Sequence, residues 1–436
     1  MRPTQTQEIN KRIRYVVTLS KQIPWYARKY KKLGIDPNTI KTPQDLLKAY
    51  EKGLFTTPQD LQALTTHFKI FRQYFLSSGT SGRPKVVGAT VDDLKRDKRQ
   101  CEQAYNCFIE EGDVVLNCFP SSPAISGVAS IEGIKSFQAQ LFQAPAQALQ
   151  NVETFLLYYD IFKPNVIFGL TTSLYRLPFR LREIGVSPEK LGIKKMMSGA
   201  EPSTTERRKA ISEDFGGAKI YDWYASSENM VIAYEEEPFS NRYNVTLPET
   251  ILFLTKENDF ASAGETGQVL LTNLYEVGEK PHMILLNYLI GDFARCVEKD
   301  EETGFVTVIG DIRREAAYLA GAKLNPQEVE AIIDGLSEFK GFLTGEYRII
   351  TYNDADRKAV AEIRLEAKKQ LTNEQKEQIS QQVRQKIYSV NFPVWDVCEN
   401  VKDGKLIINI TEPGNLYKGY EHLIKPGKPK RLITLG

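Results

Sequence analysis

Two adjoining patterns in the chain predict an α/β fold: a large N-terminal domain of β-sheets flanked by helices, then a small α+β C-terminal domain. Over residues 71–309, short β-rich runs such as DVVLNCF (113–119), NVIFGL (165–170), KKMMSG (194–199) and KIYDWYA (219–225) alternate with helical stretches such as NVETFLLYYDIF (151–162) and SLYRLPFRLREI (173–184). That alternation predicts largely parallel sheets. After VTVIGDIRR the pattern changes to a helix at 326–336, strands at 345–353 and 359–367, a polar helix at 372–387 and a strand at 406–411. The second set makes a compact domain of about a hundred residues. No proline-rich or low-complexity linker separates the two, so a short hinge is expected near Gly310 and Asp311, giving domains 1–310 and 311–436. A length of 436 residues already exceeds what one ordinary core holds.

Residues 7–70 form a helical lead-in. QEINKRIRYVVTLSKQ has helical spacing, and Thr42-Pro43-Gln44-Asp45 and Thr57-Pro58-Gln59-Asp60 each pair a capping hydroxyl with proline at the first helical position. Two helix starts are therefore expected there.

Composition excludes several classes of partner. The 57 basic and 55 acidic residues nearly cancel, so nucleic acid is not an expected partner. The five cysteines show no CxxC pair and no disulfide spacing, which points to a reducing compartment. His67, His282 and His422 lack ligand neighbours at zinc spacing. The N-terminus is charged throughout, and nowhere do about 18 apolar residues run together, so neither a signal sequence nor a membrane span is expected. The expected location is the cytoplasm.

The densest chemical signal is Leu76-Ser77-Ser78-Gly79-Thr80-Ser81-Gly82-Arg83-Pro84-Lys85, which packs two glycines, four hydroxyls and two cations into ten positions after the apolar run IFRQYF. Glycines let backbone N–H groups approach phosphate oxygens, hydroxyls donate hydrogen bonds, and Lys85 or Arg83 offsets phosphate charge. A plain surface turn needs no such density of donors. The Walker spacing GxxxxGK[ST] is not matched.

This loop resembles the phosphate loop of the adenylate-forming superfamily, approximately [ST]SGTTGxPK. Residues 22–46 and 86–94 narrow the resemblance to the phenylacetate-CoA ligases, and further landmarks follow in family order. Ser198-Gly199-Ala200-Glu201-Pro202 resembles the GAEP segment that lies against adenine. Tyr221-Asp222-Trp223-Tyr224-Ala225-Ser226-Ser227-Glu228 resembles YGxTE, with Ala225 in place of glycine. There the aromatic sits near adenine, the hydroxyl faces the α-phosphate and the glutamate, Glu228, binds magnesium. Tyr288-Leu289-Ile290-Gly291-Asp292 resembles YxTGD, whose aspartate accepts from both ribose hydroxyls. Asn287 stands where the family often has arginine, with Arg295 a nearby cation. The junction pattern GRxxDxxKxxGxxxxPxxxE is met by Gly310, Gly321, Pro326 and the helix after it, but not by Asp311-Ile312-Arg313-Arg314-Glu315. Arg313 or Arg314 is left for the phosphate-facing role, and Asp311 or Glu315 for the hinge. Lys428 matches the closing PGxLPRxxGKxxR segment, with residues 417–424 read as an insertion; Lys405, after Gly404, is the other candidate for the catalytic lysine.

The resemblance implies a mobile C-terminal domain, ATP and Mg2+ as cofactors, and CoA as co-substrate. Lys428, Glu228 and Lys85 would be catalytic, with the remaining motif residues, Arg313 among them, on the nucleotide. A carboxylic acid would become its acyl-adenylate, and a thiol would then take the acyl group and release AMP. The acid is expected between residues 118–127 and Trp223-Tyr224, where aromatics suit an aryl or small acyl group but serve equally as core. A carrier protein, a protein cysteine or an amine is compatible as acceptor in place of CoA, as is a homodimer. The departures at 225 and 311–315 leave open a nucleotide-binding protein without turnover. A phosphotransferase is disfavoured by the lack of Walker and kinase motifs.

Overall fold

The computed structural model describes residues 3–77, 85–122, 124–199, 203–256, 259–313, 317–319, 322–324, 326–354, 359–402, 404–419 and 431–434. Its lead-in helices follow from their caps. After α1 (Pro3–Ser20), α2 (Pro24–Leu33) stops at Gly34, whose φ of 62° is left-handed and whose N–H closes on Lys31 O. α3 (Pro43–Glu51) starts from a reciprocal capping box between Thr42 and Asp45. The second expected start makes no α-helix. Thr57 N and Oγ1 donate to Asp60 Oδ2, closing a turn that runs into a short 3₁₀ stretch at Leu61–Leu64. Leu61 and Leu64 are buried three positions apart, the 3₁₀ period, and β-branched Thr65 and Thr66 then extend against Met283 and His282.

β1 (Gln73–Ser77) and β2 (Lys85–Ala89) form an antiparallel hairpin, and α4 (Val91–Tyr105) follows from a second capping box, between Thr90 and Asp93. Then strands and helices alternate as expected: β3 (Val114–Asn117), α5 (Ser126–Ile134), β4 (Gln140–Gln143), α6 (Val152–Phe162), β5 (Val166–Leu170), α7 (Thr171–Glu183), β6 (Lys195–Gly199), α8 (Thr205–Asp214) and β7 (Lys219–Ser226). The five strands pair in parallel in the order β4-β3-β5-β6-β7. β5 and β6 are buried along their whole length. Val166, Phe168 and Leu170 pack with Cys101 and Tyr105 of α4, while Ile167 packs with Leu174, Leu177 and Leu181 of α7. Alternate residues thus fill cores on opposite faces, as parallel strands require.

β8 (Met230–Glu235), β9 (Tyr243–Val245), β10 (Thr250–Thr255), β11 (Thr266–Asn273), β12 (Tyr288–Lys299) and β13 (Val306–Arg313) continue this sheet to eleven strands, as β7-β8-β9-β13-β12-β11-β10. The pairs β7-β8, β8-β9, β9-β13, β11-β12 and β10-β11 are antiparallel. Parallel pairing therefore covers only half the sheet, because helical crossovers join the first five strands and loops join the rest.

Contacts divide the chain into two units, residues 1–200 with 211–312 and residues 201–210 with 313–436. In the second, β14 (Ala317–Leu319) pairs with β15 (Ala322–Leu324), and α9 (Pro326–Asp334) follows. β16 (Leu343–Asn353), β17 (Ala359–Ala367), β18 (Gly404–Thr411) and β19 (Leu432–Thr434) form a sheet in the order β18-β17-β16-β19. α10 (Asn373–Val390) and α9 fill its core with Ile379, Val383, Ile387, Val329 and Ile332.

One buried carboxylate joins three segments of the first unit. Asp93 Oδ2 accepts from Thr90 N at 2.8 Å, Thr90 Oγ1 at 2.9 Å and His282 N at 2.7 Å, and Oδ1 accepts from Tyr275 Oη at 2.6 Å. Asp93→Ala strands those donors in the interior, so about 2–4 kcal/mol of unfolding free energy should be lost. Urea unfolding measures it, and a loss under about 1 kcal/mol would contradict the assignment of Asp93 as a structural hub.

Candidate functional site

The hairpin brings the two ends of the glycine-serine segment side by side, since β1 and β2 pair from Gln73↔Ala89 to Ser77↔Lys85. Ser78, Gly79, Thr80, Ser81 and Gly82 lie outside the described residues, as do the side chains of Ser77 and Lys85. What the hairpin rests on is described. A Cβ on Gly88 would come within 2.5 Å of the His282 ring, so only glycine lets β2 lie against the imidazole. Tyr74 meets the same ring edge-on with centroids 5.8 Å apart. His282 is 5% exposed, and its carbonyl accepts from Thr66 N at 2.8 Å. Burial, with the charge of Arg72 adding to it, lowers the imidazole pKa to about 4, so the ring is neutral near pH 7.

At the end of β6, Gly199 is the closest backbone approach in the site: any Cβ there would collide with the indole of Trp223. Ala200 and Glu201 lie outside the described residues. Trp223 and Phe119 stack at 5.2 Å with planes 17° apart, and Tyr105 stacks on Trp223 at 5.8 Å. Both Trp223 and Phe119 are buried, and of their two sequence readings, acid pocket or core, the structure puts them in the core. Asp222, beside them, accepts from Ser198 Oγ at 3.3 Å and Tyr243 Oη at 2.9 Å, a tie that no local pattern announces.

The two acidic motifs come together from opposite sides of this region. Tyr224 Oη donates to Asp292 Oδ2 at 2.7 Å, and Tyr288 Oη donates to Glu228 Oε1 over a long 3.4 Å. Both tyrosines are buried, whereas Ala225, Ser226, Ser227, Glu228 and Asp292 are partly exposed. Ser226 Oγ accepts from Asn229 N at 3.1 Å and so shapes the turn carrying Ser227 and Glu228. The β7-β8 register shifts between Tyr224 and Ala225, and the β11-β12 register shifts opposite residues 289–293. Such breaks in the ladder re-aim side chains, here at both motifs. Tyr288 has no role in the sequence reading; the repeated Tyr-x-x-x-acid spacing at 224–228 and 288–292 is the signal that could have found it.

Other candidates are placed elsewhere. Asn287 is buried and tethers the lead-in, its Nδ2 donating to Leu46 O at 2.8 Å and Leu54 O at 3.1 Å. Arg295 is paired with Asp311, Nε to Oδ2 at 2.5 Å, so the cation considered for the nucleotide is engaged by a carboxylate. Asp311 is left-handed at φ 45° and also accepts from Asn241 Nδ2 at 2.5 Å. Arg313 closes β13, and its side chain is outside the description. Lys405 lies on β18 beside Val360 and is ion-paired with Asp354, while Lys428 lies outside the described residues.

A family model for AMP-binding enzymes matches residues 71–273. A phenylacetate-coenzyme A ligase of Thermus thermophilus is 25% identical over 361 residues, covering 78% of this chain and 76% of that protein. One from Aromatoleum evansii is 23% identical over 330 residues, 71% of each. Among solved structures, 2-hydroxyisobutyryl-CoA ligase in the postadenylation state with 2-HIB-AMP shares the fold at a TM-score of 0.76 and 17% identity, covering 98% of this chain and 88% of that one. Residues 71–273 thus carry the likeness to AMP-binding enzymes, in an α/β domain where two motifs converge on one place. Over most of its length the chain is similar to phenylacetate-CoA ligases.

The hairpin footing gives a pH signature. Folding lowers the His282 pKa from 6.5 to about 4, so its contribution is complete above pH 6.5 and is lost as pH falls through about 4. His282→Gln removes the titration, and its unfolding free energy should fall less steeply across that window, by up to about 3 kcal/mol. Parallel stability curves for the two proteins would refute this.

Proposed function

We propose that this chain is an AMP-forming acid–thiol ligase. A carboxylate oxygen attacks the α-phosphorus of ATP, the bond to the β-phosphate breaks, and pyrophosphate leaves. The thiolate of CoA then attacks the acyl carbonyl, the carbon–oxygen bond to AMP breaks, and the acyl-CoA is released. The observation that carries the reading is the convergence of Glu228 and Asp292, from motifs far apart in sequence, through the hydroxyls of Tyr288 and Tyr224.

Asp292 is partly exposed and acceptor-only when ionised, which suits two ribose hydroxyls. Among the described residues no cluster of three metal-ligating side chains forms. Magnesium takes one or two carboxylates and completes its shell with phosphates and water, and Glu228 is the residue that would hold it. Bound there, the ion would neutralise phosphate charge. The loop from Ser77 to Gly82 with Lys85 would cradle the phosphates, and Arg313 and Lys428 would come from the C-terminal domain, 311–436, across a hinge near 310–315. Catalysis then consists of positioning and charge stabilisation, with no protein nucleophile. No helix among the described residues is long and apolar enough to cross a membrane.

Pyrophosphate release, screened over carboxylic acids with and without CoA and beginning with phenylacetate, tests the reading. Release with an aryl or small acyl acid, and acyl-CoA formation on adding CoA, are expected. ATP binding without release for any acid would identify a nucleotide-binding protein instead, and turnover only with a carrier protein would reassign the acceptor. Asp292→Ala should weaken ATP binding roughly tenfold or more, since each bond to a charged acceptor is worth about 1.5–3 kcal/mol. An unchanged dissociation constant would remove Asp292 from the site. Lys428→Ala should slow adenylation about a hundredfold with ATP binding retained. Lys405→Ala should leave adenylation near wild type, its ammonium being paired with Asp354. The reverse outcome would exchange the two lysines.

A further inference from the structure

The tyrosine of each motif serves the acid of the other. Tyr224 stands four residues before Glu228 and Tyr288 four before Asp292, yet Tyr224 donates to Asp292 and Tyr288 to Glu228. The rings are 1% and 0% exposed, so neither can swing away without unpacking its core. A ring so enclosed offers no face to a nucleotide; its hydroxyl is what reaches the site. A carboxylate oxygen only accepts, so the Tyr288 hydroxyl facing Glu228 is the donor of that pair. An ionised carboxylate has about four lone-pair positions, enough to accept a tyrosine together with ribose hydroxyls or an ion.

We propose that Tyr224 and Tyr288 are positioning residues forming a reciprocal clamp, which fixes Asp292 relative to Glu228 and so couples nucleotide binding at one acid to metal binding at the other. The clamp rests on the nucleotide-site reading above. Because both hydroxyls are anchored in packed strands, a shift of either acid is transmitted through rigid rings to the opposite motif.

The test is calorimetric titration of the full chain with ATP at limiting and saturating magnesium chloride, for wild type, Tyr224→Phe and Tyr288→Phe. Phenylalanine keeps the packing and removes only the donor. Tyr224→Phe should weaken ATP binding about fivefold, and Tyr288→Phe should raise the magnesium needed for half-maximal ATP binding about threefold, its bond being the longer. Each effect should vanish when the acid it acts through is already changed: Tyr288→Phe in a Glu228→Gln background, and Tyr224→Phe in an Asp292→Asn background. Wild-type values in both phenylalanine variants, or effects that persist in those backgrounds, would overturn the clamp while leaving the nucleotide site standing. A wild type that binds no ATP overturns the site reading and the clamp together. If a phenylalanine variant fails to fold, Glu228→Gln and Asp292→Asn probe the same two bonds from their partly exposed ends: each should weaken the other site's ligand, and independent effects would overturn the coupling.

Discussion

The first unit depends on the carboxylate of Asp93. It closes the N-terminus of α4, receives the phenol of Tyr275, and fixes the backbone of His282. Through His282 it sets the floor on which β2 lies, and hence the footing of the hairpin that carries the glycine-serine segment. A group so buried is tolerated only because its donors come from three segments that fold together. Helix start, hairpin and strand are therefore one cooperative arrangement.

A second buried network works beside it with charges. Glu249, 2% exposed at its side chain, accepts from Arg12 at 3.0 Å and from Arg99 at 2.8 Å, tying α1 and α4 to the loop before β10. Arg99 also forks onto both oxygens of Glu279, at 2.8 and 3.1 Å. Buried pairs of this kind add little net stability over apolar packing, but removing one partner is costly. Their effect is to hold the lead-in helices in one register on the sheet. Asn287 strengthens the same attachment with its two bonds to Leu46 O and Leu54 O.

The site itself sits where the sheet is least regular. β7 is the last of the parallel strands and the first partner of the antiparallel set, and the ladder slips at Tyr224 and Ala225 just past that change. β12 slips across 289–293, around Gly291 at φ 97°. Glu228 sits in the turn after β7 and Asp292 on β12; the slips beside them let Tyr224 of β7 and Tyr288 of β12 each reach the acid of the other motif. The parallel half, buried on both faces, supplies the rigid base for this departure.

Local order was legible in the sequence. The boxes at Thr42, Thr90 and Thr372 start helices because their bonds form within four residues, and fully apolar runs such as VIFGL could satisfy their burial only as central strands. The motifs at 224–228 and 288–292 were legible through their resemblance to the short patterns YGxTE and YxTGD. Thr57 shows the limit: its N–H and hydroxyl bond to Asp60, but no reciprocal box closes and the neighbouring Leu61 and Leu64 pack at a 3₁₀ spacing, so no α-helix follows. The antiparallel half of the sheet, the burial of Trp223 and Phe119, the pairing of Arg295 with Asp311 and the crossing of the two tyrosines were decided only by the tertiary structure. Each depends on residues brought together from distant parts of the chain, and a contact of that kind leaves no periodicity in the sequence on either side of it.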